Sequence, residues 1–318
     1  MTANRALRVN LLYNPDKGAP FADALTKAGH DLVNGPGDVT LIDADLPTDP
    51  YRSALALDQP ALIYPHGPGL ITHNDGIWRV HPRVEANFVI GSGVAEAMLA
   101  MGYPIPLIVI GWPFVEQRPF APTAGRRVLF APTHPDPLGY NSTDRKQATA
   151  AVLDRLVEAG FDVTVRHLGS MRSNGLRYIE GVEYHQAGVV GAVSRTMVED
   201  IDAADVVIST SSFAFNAVAR GKPVVWYLGR DWEQYWRYPG QPLVTRTWPR
   251  YAELLRYPYE AEAPDLARTV ARACAGGPEL DEWRQRFIGE PFDGPRFAAD
   301  VERLVANSTG SIGGRSYR

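Results

Sequence analysis

The chain has 318 residues, 45% of them apolar and 21% charged, with a net charge of −4. That balance excludes a disordered chain, leaves room for two α/β domains, and argues against a global basic field for nucleic acid or membrane surfaces. The single cysteine, Cys274, excludes an intrachain disulfide and a CxxC metal site, and no apolar run approaches the ~20 residues of a membrane helix, so a cytoplasmic protein with no integral membrane association is expected.

A strand is predicted at 7–13, then a loop at 14–19 and a helix over 21–33. Short strands follow at 39–42, 61–64 and 87–90. A helix then has its apolar spacing on Val94, Ala97, Met98 and Met101, and a β-branched strand covers 105–110. This βα alternation implies a parallel sheet with helices on both faces. Residues 111–125 carry Pro113, Pro119 and Pro122 without helical or strand period, and read as a linker. The second series begins with a strand at 126–130, a helix at 144–159 stopped by Gly160, and a strand at 162–166. A variable stretch, 170–191, precedes a helix at 194–203. Beyond residue 227 an aromatic and charged segment, 231–238, precedes helices near 266–273 and 281–287. The expected division is an acceptor-side Rossmann-like domain over 1–118 and a nucleotide-donor-binding Rossmann-like domain over 119–295. A helix over 296–306 is expected to cross back to the first domain, and the polar tail 307–318 to be disordered. The expected fold class is α/β, with two Rossmann-like domains facing across a cleft.

The most informative segment runs from Asp205 to Tyr227. Val206, Val207 and Ile208 read as a strand buried on both faces. Thr210, Ser211 and Ser212 supply hydroxyls and backbone N–H groups where it ends. A helix over 213–220 follows, capped by Ser211 or Ser212 and stopped by Gly221, and a second buried strand covers 224–227. Such a turn aims the positive end of a helix above the sheet edge, where a phosphate is the natural occupant.

Three further segments end strands with polar groups. His66-Gly67 follows the strand at 61–64, and its imidazole suits general-base work near neutrality or hydrogen-bonding of its own turn. Thr133 and His134 follow the strand at 126–130 and offer a hydroxyl and an imidazole to a phosphate or to the transferred group. Arg166 and His167 end the next strand, where a cation and a donor would neutralise a departing diphosphate. The spacing of His66, His73 and His81 matches no compact ligand pattern, so no metal site is expected.

These residues resemble a known family. Val128-Leu129-Phe130-Ala131-Pro132-Thr133, Val165-Arg166-His167, Ser211-Ser212-Phe213-Ala214-Phe215-Asn216 and Gly221-Lys222-Pro223-Val224-Val225-Trp226-Tyr227 are similar to motifs of the CDP-glycerol glycerophosphotransferases, and more broadly of GT-B-fold glycosyltransferases. The resemblance covers about residues 60–228, in the family's order. Arg166-His167-Leu168 lacks the family's proline, His134 replaces an aromatic residue, and Asn216 stands where the family has aspartate. The resemblance implies a GT-B fold, a nucleotide-diphosphate donor and His66 as catalytic base. Thr133, Arg166, His167, Thr210, Ser211 and Ser212 would hold the diphosphate, with Gly67, His134 and Asn216 touching donor or acceptor.

The expected activity is transfer of a sugar, or of a polyol phosphate, from a nucleotide-diphosphate donor to the hydroxyl of an acceptor that the sequence does not identify. No cofactor is expected, because the donor enters as substrate. A nucleic-acid acceptor is the less favoured reading, given the acidic balance. Alternatives are CDP-glycerol glycerophosphotransfer, a UDP-N-acetylglucosamine 2-epimerase-like reaction, and a non-catalytic nucleotide-sugar-binding module. The epimerase reading is weakened by His66-Gly67-Pro68-Gly69, where an acidic turn would be needed.

Overall fold

The computed structural model describes residues 5–12, 15–44, 53, 55–57, 59–65, 83–100, 102–132, 143–168, 170–171, 175–187, 195–209, 212–227, 257–261 and 263–311. These residues form two compact units. One holds those up to Pro113 and from Gly289 onward, the other those from Phe114 to Ile288. Among the described residues, no helix is long and apolar enough to cross a membrane.

The first unit begins with β1 (Arg8–Leu12), α1 (Pro15–Lys27), β2 (Asp31–Val33), β3 (Val39–Asp43), β4 (Ala61–Tyr64), β5 (Val84–Val89), α2 (Ser92–Ala100) and β6 (Leu107–Val109). Its strands pair in the order β2-β1-β3-β4-β5-β6, and every ladder is parallel. This is a flavodoxin-like order with a sixth strand added. The central strands Val39–Asp43 and Ala61–Tyr64 are buried at every position, including the polar Thr40 and Asp43.

The helix expected over 21–33 is corrected at both ends. It starts at Pro15, whose missing N–H costs nothing in the first turn. It ends where Gly29, at φ 86°, lets the Gly29 and His30 N–H groups bond back to the Thr26 and Leu25 carbonyls. Residues 31–33 are then released to pair with β1.

The second unit contains β7 (Arg127–Ala131), α3 (Thr143–Glu158), β8 (Asp162–Leu168), β9 (Glu183–Ala187), α4 (Arg195–Ala203), β10 (Val206–Ser209), α5 (Ser212–Ala219), β11 (Val224–Tyr227), β12 (Glu260–Ala261), α6 (Leu266–Ala275) and α7 (Pro278–Phe287). The order is β12-β11-β10-β7-β8-β9, again all parallel. Read from β9, with β7 as strand 1, it is the Rossmann order 3-2-1-4-5-6. β9 lies inside the stretch read as variable. Its polar sequence, Glu-Tyr-His-Gln-Ala, lacks the apolar alternation that reveals a strand.

The final helix, α8 (Gly294–Ser311), belongs to the first unit and runs past the end at 306 expected from sequence. It packs on α1 and β5. Phe297 meets Phe21 at 5.2 Å and Phe88 at 4.9 Å between ring centroids, and Phe21 meets Tyr64 at 4.6 Å. Each of these rings is essentially solvent-free, so each contributes roughly 1.5–3 kcal/mol of burial free energy.

Candidate functional site

From β7 the chain of the second unit moves outward through β8 to β9. It then returns on the opposite side of β7 as β10 and continues outward to β12. The strand order therefore reverses between β7 and β10, and in open parallel sheets ligands bind beyond the carboxyl ends at that point. The two strands finish level, with Ala131 paired to Ser209. Ser209 is buried, and α5 begins only three positions later, at Ser212. Thr210 and Ser211, which join them in sequence, lie outside the described residues. So do Thr133 and His134, which follow β7 in sequence, and His66 and Gly67 in the first unit.

What fixes the direction of α5 is visible in detail. Apart from Asn216 the helix is apolar from Phe213 onward, and it is buried from Ala214 to Ala219. Phe215 packs against Trp226 at 5.7 Å and Trp283 at 5.2 Å. At its end, Gly221 has φ 75°, and its N–H and that of Lys222 bond to the Val218 and Ala217 carbonyls. A Cβ at Gly221 would overlap the carbonyl oxygen of Pro119, so glycine is required twice over.

Charged groups complete the scaffold. Lys222 Nζ donates to the Asp202 and Ala204 carbonyls at 2.8 Å, closing the end of α4. Burial lowers the pKa of Lys222, against the attraction of Asp202. Arg220 pairs with Asp202 and, at 3.0 Å, with Glu116. Arg220, read from sequence as the end of a helix, and Gly221-Lys222, read as the start of a motif, thus work as a clamp that orients α5.

Arg166 and His167 lie inside β8, which runs to Leu168 rather than ending at 166 as expected. Phe130 pairs with Val165, which sets Arg166 level with Ala131, the last residue of β7. The Arg166 guanidinium is buried and turned towards α4. Its Nη1 donates to Asp200 Oδ2 at 2.6 Å. His167, also buried, alternates to the opposite face of the sheet.

Asp200 in turn meets His185 Nδ1 at 2.8 Å, and His185 Nε2 lies 2.8 Å from Glu183. Burial works against the charged form of His185, but hydrogen bonds to Glu183 and Asp200 prevail and raise its pKa. Asn216 is buried between helices, its amide 3.7 Å from Met197 Sδ on α4. Trp226 and Tyr227 are core residues, while the aromatic segment 231–238 lies outside the described residues. The sequence reading missed Asp200 and Asp202, which lack any local signal because their partners come from other strands and helices.

No protein-family model matches the sequence, and no curated protein matches it. Solved structures match along almost the whole chain. The glycosyltransferase SnogD from Streptomyces nogalater superposes with a TM-score of 0.57 at 14% identity, covering 94% of this chain and 100% of its own. A Listeria monocytogenes protein described as a UDP-N-acetylglucosamine 2-epimerase gives 0.55 at 12%, covering 98% and 99%. The wall teichoic acid polymerase TagF gives 0.51 at 12%, covering 97% and 90%. The chain has the GT-B fold. Within that fold, its first unit has the flavodoxin-like strand order and its second the Rossmann order. Because enzymes with three different names share this GT-B fold, the chemistry is argued from residues.

Proposed function

We propose that the chain is a glycosyltransferase-type enzyme that moves a sugar from a nucleoside-diphosphate donor to an acceptor hydroxyl without a metal. The observation that carries this reading is the reversal of strand order between β7 and β10. There a buried strand gives way to a clamped helix through the hydroxyl sequence Thr210-Ser211-Ser212. In this proposal those three residues and Thr133 hold the diphosphate through hydroxyls and backbone N–H groups. His167 supplies a further donor as the diphosphate leaves.

Arg166 is assigned to the scaffold, because Asp200 already compensates its charge. Asn216, packed against Met197, is assigned there as well. His66 takes the proton from the acceptor hydroxyl, whose oxygen bonds to the anomeric carbon. The bond from that carbon to the diphosphate oxygen breaks, and the diphosphate leaves with the electron pair. Gly67 and His134 are assigned to contacts with the acceptor or donor.

The test is a thermal-shift screen with UDP, CDP, GDP, ADP and dTDP, with and without EDTA. A selective rise that survives EDTA is expected, and no rise with any of the five sinks the reading. A shift with CDP alone would redirect the proposal to glycerol phosphate transfer. The resemblance to a UDP-N-acetylglucosamine 2-epimerase keeps a second reading in view. Consumption of a UDP-sugar with no acceptor present and no UDP released would favour it. Binding without any turnover would mark a non-catalytic module.

A further inference from the structure

Both ring nitrogens of His185 lie 2.8 Å from carboxylate oxygens, Nδ1 from Asp200 and Nε2 from Glu183. A neutral imidazole has one N–H, so one of these contacts would set a lone pair against a carboxylate. Only the imidazolium satisfies both. Three charged groups face it: Glu183 on its own strand, Asp200 from α4, and Arg166, its register partner on β8. The four side chains carry no net charge together, and the Arg166–Asp200 pair at their centre is more than nine-tenths buried.

Asp200 therefore joins three elements, α4, β8 and β9. The same helix meets α5 directly at one point, and its C-terminal end holds the residues that follow α5. Met197 meets Asn216, Asp202 meets Arg220, and the Asp202 and Ala204 carbonyls accept from Lys222. One helix thus fixes both the end of β8, where His167 stands, and α5, whose first residue is Ser212.

We propose that Asp200 is a positioning residue for the donor site. Held between Arg166 and the His185 imidazolium, it locks α4 to β8 and β9 and so sets the spacing between His167 and the start of α5. This inference rests on the donor reading above. The competing role is a buried ion pair that stabilises the fold and nothing more.

Asp200→Asn alone would leave Arg166 buried without its anion and would destabilise the unit. The deciding variant is the double replacement Arg166→Met with Asp200→Leu. It substitutes apolar side chains of similar volume, an exchange that buried ion pairs commonly tolerate. Binding of UDP, or of whichever of the five diphosphates stabilises the wild type, is measured by calorimetry on protein shown to be folded. Affinity about tenfold weaker or worse is expected. Unchanged affinity in the folded double variant would reduce Asp200 to a structural residue and overturn the proposal.

Asp200→Glu is the second variant, in case the first does not fold. It keeps the charge but lengthens the reach, and is expected to weaken binding in protein that is still folded, with a modestly lower melting temperature. Wild-type affinity in Asp200→Glu would count equally against the proposal. A wild type that binds none of the five overturns the donor reading itself. Independently, nitrogen NMR of His185 is expected to show both ring nitrogens protonated at pH 7. A neutral ring there would remove the imidazolium from the argument.

Discussion

The two units share a six-stranded parallel sheet but are held together by different chemistry. In the first, the buried amide network around Thr40 is neutral. Asn10 and Gln59 both donate to Thr40 Oγ1, and their carbonyl oxygens accept from the Gly35 and Gly37 N–H groups. Tilted and edge-on aromatic rings from α1, β4, β5 and α8 supply the packing. In the second, buried charges do that work: Arg166 with Asp200, and Arg220 with Asp202. A neutral amide network is indifferent to pH, whereas ion pairs tie shape to protonation. The contrast also bears on ligand binding. Arg166, level with the last residue of β7, is the cation beside the switch point among the described residues, and Asp200 already neutralises it. In the proposed reading, an anionic ligand there is met by hydroxyls and backbone N–H groups.

The largest effect is expected where the second unit tolerates no side chain at all. Gly221→Ala places a Cβ into the Pro119 carbonyl at a positive φ, and should cost roughly 4 kcal/mol or more in denaturant unfolding. Any nucleotide-induced thermal shift should vanish with it, since α5 loses its clamp. A cost below about 1 kcal/mol would mean that the linker segment can yield. In the first unit the corresponding break is Phe297→Ala. It removes the ring that joins α8 to α1 and β5, for an expected loss of about 3–5 kcal/mol. If that loss is under ~1 kcal/mol, α8 contributes little to the first unit's stability.

Smaller effects sharpen the contrast between the two kinds of polar core. Thr40→Val removes the hydroxyl that Asn10 and Gln59 share, leaving two buried amides short of an acceptor. A destabilisation of about 1–3 kcal/mol is expected, of similar size at every pH between about 5 and 9. A strong pH dependence of that loss would contradict the neutral character assigned to the first unit's network.

The architecture was largely legible in the sequence because buried parallel strands announce themselves. Val224–Tyr227 falls where its apolar run predicts, and Val206–Ser209 extends its prediction by one residue. The failures have local causes. Pro20 lies inside α1 and hides the earlier start at Pro15, while Gly29, a recognisable stop, separates the helix from β2. β9 is an edge strand with a polar sequence, so periodicity could not find it. At the candidate site, Arg166 was read as ending its strand, yet β8 runs two residues further. Its partner was not legible, because Asp200 lies far along the chain, and only the β8–β9–α4 arrangement brings the two together. Lys222 was read as part of a motif, and its work on the end of α4 emerges only from the fold.

The smallest effects concern protonation within the second unit, and their signs can be derived. His185 has a raised pKa in the folded state. The stability it contributes is therefore complete below the unfolded value of about 6.5 and is lost as pH rises through the higher folded value. Asp205 behaves in the opposite sense. Burial would raise its pKa, but hydrogen bonds from the Arg127 side chain and from the Arg126 and Arg127 N–H groups prevail and lower it. Its contribution is complete above the unfolded value of about 3.9 and is lost as pH falls through the depressed folded value. Melting temperatures of wild type, His185→Gln and Asp205→Asn across pH should show the two losses on opposite sides of neutrality. The gap between wild type and His185→Gln should narrow as pH rises, because the wild type then sheds the same imidazolium. A gap that stays constant up to pH ~9 would mean that the ring is neutral throughout, and that its contact with Glu183 is not the charged hydrogen bond inferred from its geometry.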